Sequence, residues 1–228
     1  MSKYKVLSGA DLKHIAIISM LIDHVNKGIL FQRAESPALV KLSDLFFILG
    51  RIAFPIFCFL LVEGFFHTHS KAKYMRNLLV FAVISEVPYD LFSDVMWVNW
   101  GVQNIFFTLA LALGVIWSID EIRKRSSWWP LAAVLITLLG CVIGVLAGFT
   151  YDYYCVIVVV LFYLFHDKRL LGTTLGALVM IKEYWSIPSF ALLNFYNGKR
   201  GKQSKWLNYW FYPVHLLLLG LFRLVTNM

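Results

Sequence analysis

The sequence predicts an all-α integral membrane protein, a polytopic helix bundle of about nine spans (eight to ten) with a cytoplasmic N-terminus. Three observations predict it. First, 60% of the 228 residues are hydrophobic, mean hydropathy is +0.70 and only 15% are charged, against about 25% in soluble domains. Second, long apolar runs recur with short polar interruptions, the pattern of helices that must satisfy their backbone internally within lipid. Third, the basic residues fall in alternate interruptions. No polar stretch is long enough to build a separate soluble domain, so residues 1–228 read as one membrane-embedded domain. There is no repeat and no low-complexity tract.

The spans lie near 12–32, 43–66, 76–93, 103–119, 129–148, 153–166, 170–182, 185–196 and 206–226. The first follows the basic start MSKYK and has no small-residue cleavage site after it, which argues against a signal peptide. The third contains Pro88, which removes a backbone hydrogen bond and predicts a kink. Asn104 and Thr108 open the fourth. In the fifth, Gly140, Gly144 and Gly148 are spaced by four and form a close-packing face, for the bundle interior in preference to a dimer. The seventh and eighth are short and carry Pro188. They are either two spans or a re-entrant hairpin, and a hairpin requires burial in protein. The last holds His215 in YPVHL. Cys58, Cys141 and Cys155 fall in apolar segments without metal spacing, so neither a metal site nor a structural disulfide is expected. Trp97, Trp100, Trp128, Trp129, Trp206, Tyr209 and Trp210 read as interface anchors.

Positive charge sets the orientation. Lys3 and Lys5 precede span one; Lys71, Lys73 and Arg76 follow span two; Arg123, Lys124 and Arg125 follow span four; Lys168 and Arg169 follow span six; Lys199, Arg200, Lys202 and Lys205 follow span eight. The opposite loops hold only Arg33, Lys41 and Lys182. The positive-inside rule puts the N-terminus in the cytoplasm and the C-terminus outside. The net charge of +8 is therefore a product of topology, and no nucleic-acid partner is expected.

Orientation converts sequence position into depth. Lys13 and His24 stand eleven residues apart in LKHIAIISMLIDHV, close to three helical turns, on one stripe and about 16 Å apart along the axis. His24 lies ~18 Å from the cytoplasmic end of its span and Arg51 ~12 Å in from the outer end of the next. Glu86 and Asp90, four apart in SEVPYD, share a face. Asp23, His24, Arg51, Glu86, Asp90 and His215 thus share the middle and outer half of the bilayer, where ionisable groups usually mark a reaction centre or a substrate path. A second cluster lies on the cytoplasmic side: Lys13, Glu63, His67, Lys71, Lys73 and Arg76. It suits an anionic, phosphate-bearing ligand. Each piece also has an ordinary reading: Lys13 as a snorkelling lysine, Asp23 with Lys27 as a local ion pair, Glu86 and Asp90 as packing partners of Arg51.

The segments LSGADLKHIAIISMLIDHV, GRIAFPIFCFLLVEGFFHTHS, ISEVPYD, VQNIFFTLALAL and FYPVHLLLL together resemble the TraX family, named for the membrane protein that acetylates the N-terminus of F pilin. The resemblance covers nearly the whole chain. The wider clan of transmembrane acyltransferases, which includes the acyltransferase-3 family, is similar in its Arg or Lys, ten residues, then His of the first span, here Lys13 and His24. FPIFCFLLVEGFF and YPVHL are similar to that clan's phenylalanine-rich helix and last-span histidine motif. The chain is shorter than most acyltransferase-3 domains and lacks a clear match to their paired arginines.

The resemblance implies transfer of an acyl group, acetyl, from cytoplasmic acetyl-CoA to an acceptor at the outer side of a bacterial cytoplasmic membrane. The sequence does not name the acceptor: a pilin-like peptide amine, a glycan hydroxyl and a lipid-linked intermediate all stay open. His24 suits the general base, since imidazole titrates near neutral pH. Glu86 or Asp90 is expected to orient it in preference to Asp23, because adjacent helical residues do not face each other. Lys13 and the basic loop after span two would hold the CoA phosphates. Arg51 would stabilise the oxyanion or neutralise Glu86 and Asp90. Two rival classes remain: a proton-coupled transporter, which uses the same buried residue types, and a non-catalytic assembly factor for surface appendages.

Overall fold

Ser8 starts the first helix of the computed structural model, which describes residues 5–226 and, at 205–208, the backbone alone. Lys3 and the side chains of Lys205 and Trp206, used above for orientation and anchoring, lie outside the described residues. The Ser8 hydroxyl accepts from Asp11 N–H (3.3 Å), and the Asp11 carboxylate accepts from Ser8 N–H (2.8 Å). This reciprocal cap satisfies two of the N–H groups that a helix start leaves orphaned. Helix α1 (Gly9–Val25) then runs into a π-helical turn (Asn26–Leu30) and a 3₁₀ turn (Phe31–Arg33).

After it come α2 (Pro37–Gly50), α3 (Ala53–His67), α4 (Lys71–Ser93), α5 (Ile105–Arg123), α6 (Trp129–Leu146), α7 (Asp152–Leu164), α8 (Arg169–Val179), α9 (Ile187–Leu193) and α10 (Lys205–Thr226). The described residues hold two isolated bridges and no strand. The protein is an all-α membrane helix bundle, as expected. Among the described residues, five stretches are long and apolar enough to cross a membrane: Gly9–Arg33, Pro37–His67, Ile105–Arg123, Trp129–Leu146 and Tyr209–Thr226. Helix α4 is as long but more polar, and α7, α8 and α9, of 13, 11 and 7 residues, are shorter than the ~20 residues of a full perpendicular crossing.

The expected second span is not one helix. It breaks at Arg51–Ile52, between α2 and α3. Pro55 explains the break. It has no N–H to give the carbonyl of Arg51, and its ring would clash there in a continuous helix. Broken helices at membrane depth need their freed backbone groups re-satisfied. Ser19 of α1 does this, its hydroxyl donating to the carbonyls of Leu49 (2.6 Å) and Gly50 (3.2 Å). Where Gly50 meets α1, a Cβ would run into the Asp23 side chain, so the residue has to be glycine.

The chain forms two compact units. The first comprises Met1–Phe57, Ile84–Asn99 and Ile181–Met228. In it α1 packs on α2 and on α10, with Leu12, Ala16, Ile56, Leu91 and Leu216 almost fully buried. Asn26 donates to the carbonyl of Ser43 at 3.0 Å. Arg223 of α10 donates to the carbonyls of Phe92 and Ser93 at the end of α4, satisfying acceptors that a helix C-terminus leaves open.

The second unit comprises Cys58–Val83 and Trp100–Met180. Its centre is the α5–α6–α7 trio, with Leu113, Ile116, Val156 and Val158 buried. The glycines of α6 face this interior: Gly140 meets Val115 and Val156, and Gly144 meets the backbone of Asp152. Asn104 caps α5 by accepting from Phe106 N–H and donates to the carbonyl of Ala82 on α4 (2.8 Å). Thr108 donates to the carbonyl of Thr150 at 2.7 Å. All three cysteines are free.

Candidate functional site

The first unit gathers most of the polar groups expected in mid-membrane. At the end of α1, Asp23 is buried, 6% exposed. It pairs with Arg51 at the α2–α3 break and with Lys27 one turn on, at 2.7 Å. One carboxylate therefore neutralises two cations in part, and the Pro55 break is what delivers Arg51 to it. Removing one member of a buried pair leaves the other uncompensated, at a cost of about 3–5 kcal/mol. The guanidinium of Arg51 also lies over the Phe47 ring, 4.7 Å from its centroid. The pairing of Arg51 with Asp23 is one that the depth argument did not single out.

His24 is the next residue. Its Nδ1 lies 2.7 Å from His215 Nε2 of α10, and the two rings are nearly parallel with centroids 5.0 Å apart. His215 Nδ1 in turn donates to the carbonyl of Phe211, one turn back on α10, at 2.6 Å. Phe92 and Tyr212 close the ring of His24 in, at centroid distances of 5.1 and 6.2 Å. Phe92 can approach because residue 28, in the π-helical turn, is glycine: a Cβ there would stand 2.9 Å from the Phe92 ring. Helical irregularity directly after His24 thus makes room for the side chain that packs on it. The group that holds His24 is His215, where Glu86 or Asp90 was expected.

Asp90 is 1% exposed and accepts from the backbone N–H of Asn99 at 2.7 Å, tying down the loop after α4. Asn99 also donates to Asp94 at 2.8 Å. Glu86 is half-buried one turn earlier. Lys13 is half-buried on α1, and no anion pairs with it among the described residues. The charge that acts on it within its unit is Arg200. Arg200 sits on the loop after α9, whose backbone packs on the first turn of α1: Gly9 N–H donates to the carbonyl of Lys199 at 2.8 Å. The cations around Lys13 in this unit therefore come from the loop after α9.

The other expected phosphate ligands belong to the second unit, and most of them are already matched. Lys71 pairs with Asp120 at 2.5 Å and lies over Phe65, 4.1 Å from the ring centroid. Asp120 also accepts from Tyr163 (2.9 Å) and pairs with Lys124 (2.7 Å). Glu63 meets His166 at 2.9 Å. His166 lies in the 3₁₀ turn that follows α7, and the hydrogen bond to Glu63 raises its pKa above the ordinary histidine value, against the opposing effect of burial. His67 donates from Nδ1 to the carbonyl of Glu63 at 2.8 Å, closing its own helix end. Lys73 and Arg76 are exposed.

A family model described as TraX protein matches residues 8–223. The chain belongs to the TraX family. This TraX member is also similar to a protein of Dichelobacter nodosus named "Probable fimbrial assembly protein FimC, serogroup H1", 30% identical over 253 aligned residues, covering 96% of this chain and 97% of the relative. No solved structure matches. The residues quoted above for the family resemblance include both partners of the histidine pair.

Sequence reasoning missed Asp120, Tyr163 and His166. A signal was available: by charge alternation, the ends of spans four and six face the same side as the end of span two. The same depth argument applied to Glu63 and Lys71 reaches all three.

Proposed function

We propose that this TraX member is a membrane-embedded acetyltransferase of the bacterial cytoplasmic membrane, acting in pilus assembly or modification. The donor is cytoplasmic acetyl-CoA and the acceptor is an outer-side amine or hydroxyl of a pilus component. The observation that carries the reading is the His24–His215 pair. An imidazole held by a second imidazole within a spanning helix, with a buried Asp23–Arg51 ion pair at its neighbouring residue, is more than membrane packing requires. A general base contributes about 10²–10⁴-fold when held within reach of its proton. Family membership supports acetyl transfer, and the name of the Dichelobacter relative supports a fimbrial setting.

The residues fit the donor. Lys13, without an anionic partner among the described residues, and Arg200 supply cations for its phosphates. Lys13 stands about three turns of α1 from His24, so an extended pantetheine arm running along that face would carry the thioester from one to the other. His24 takes the proton from the attacking acceptor, and Arg51 adds positive charge beside the developing oxyanion.

The test is to incubate the purified protein in proteoliposomes with radiolabelled acetyl-CoA and a peptide bearing a pilin N-terminus. Label recovered on the peptide amine supports the reading. Binding of the peptide with no label transfer and no hydrolysis of acetyl-CoA, in a folded preparation, would place the protein as an assembly factor instead.

A further inference from the structure

We infer that His215 fixes the ring tautomer of His24, so that the nitrogen of His24 able to take a proton is Nε2. The chemistry rests on the acetyl-transfer reading; the hydrogen-bond directions do not. A carbonyl oxygen can only accept. The 2.6 Å contact from His215 Nδ1 to the carbonyl of Phe211 therefore requires the proton of His215 on Nδ1. A neutral imidazole carries one N–H, which makes His215 Nε2 an acceptor. At 2.7 Å from that acceptor, His24 Nδ1 must be the donor. The remaining nitrogen of His24, Nε2, then bears the free lone pair, and no hydrogen bond from any described residue fills it. The chain of donors runs one way, from His24 through His215 to the backbone of α10.

His215 is thus a positioning residue, placed as the carboxylate is in a Ser–His–Asp triad, which holds its histidine in one tautomer and supports the imidazolium that forms. The step balances as follows. The acceptor nitrogen or oxygen bonds to the thioester carbonyl carbon, its proton moves to His24 Nε2, the C–S bond breaks, and the proton passes to the leaving thiolate of CoA. His24 ends neutral with the same tautomer, ready for the next turnover. Asp23 does not fill this role, since it is engaged by Arg51 and Lys27.

The test has a spectroscopic arm and a kinetic arm. Protein labelled with ¹⁵N-histidine, in lipid nanodiscs, is examined by NMR, with the His24 signals identified as those lost in His24→Asn. The expected result is a directly bonded proton on His24 Nδ1 and none on Nε2. A proton on Nε2 with a bare Nδ1 overturns the inference, whether or not the protein transfers acetyl. In the kinetic arm, His215→Leu removes the acceptor and should lower kcat by about 10²–10⁴ with the KM for acetyl-CoA unchanged. His215→Gln returns an acceptor oxygen near the former Nε2 and should recover activity to within about tenfold of wild type. Equal loss in both variants, with both folded, or no loss in His215→Leu, overturns the positioning role. A wild type that transfers no acetyl while showing the expected tautomer would reject the acetyltransferase reading and leave the hydrogen-bond assignment standing.

Discussion

The two units each hold a cluster of ionisable side chains, and the clusters differ in how completely they are matched. In the second unit Lys71 and Lys124 meet Asp120, Tyr163 donates to the same carboxylate, and His166 meets Glu63. Each of these four donors has an acceptor, and the partners join the ends of α3, α4, α5 and α7. That is the arrangement of a helix-end clamp. In the first unit the histidine pair leaves one nitrogen uncommitted, and Lys13 has no anion among the described residues. On the proposed reading, the difference separates ionisable groups that hold helices together from groups kept ready for a ligand. Both clusters are built from the same residue types, and the state of pairing tells them apart.

Breaking this contrast gives the largest effects first. His24→Ala should abolish acetyl transfer, by at least the 10²–10⁴-fold typical of a lost general base, while expression and insertion persist; turnover per folded molecule reads this out. Asp23→Asn removes a buried carboxylate partner of Arg51 and should destabilise the protein by about 3–5 kcal/mol, measured by unfolding in mild denaturing detergent, with a smaller loss when Arg51→Gln is added. In the second unit Asp120→Asn should cost stability, with kcat per folded molecule preserved. The size is about 1–3 kcal/mol, since Lys124 is half-exposed and contributes little.

A smaller effect is expected from pH. Because His166 is raised above the ordinary value of about 6.5, its pairing with Glu63 is fully present below that pH and is lost as pH rises through the raised value. Thermal stability of wild type should fall over that window relative to His166→Gln, and parallel curves would reject the assignment. Lys13→Ala should raise the apparent KM for acetyl-CoA with kcat largely kept. Lys73→Ala, on an exposed lysine, should change neither. Equal effects of the two on KM would return the donor site to the loop after α3.

The sequence announces the all-α membrane class and the stripe that joins Lys13 to His24, because hydropathy and helical period are local properties. It also contains the break at Arg51, through Pro55, although a hydropathy profile runs smoothly across residues 43–66. Depth alone placed His24, Arg51, Asp90 and His215 together. It could not say which pairs touch, because the rotation of each helix about its axis is set by packing, by Gly28 and Gly50 among others. So the contact between Arg51 and Asp23 was not legible from depth. Lys71 read as a free cation because its partner, Asp120, lies 49 residues away.

The central claim is that His24 is the base of an acetyl transfer. Its most direct measurement is single-turnover transfer of label from radiolabelled acetyl-CoA in proteoliposomes, wild type beside His24→Ala, with folding of both confirmed. The account predicts time-dependent transfer or slow hydrolysis by wild type and neither above background by the variant, with acetyl-CoA still bound by both. Transfer by His24→Ala at the wild-type rate would contradict it.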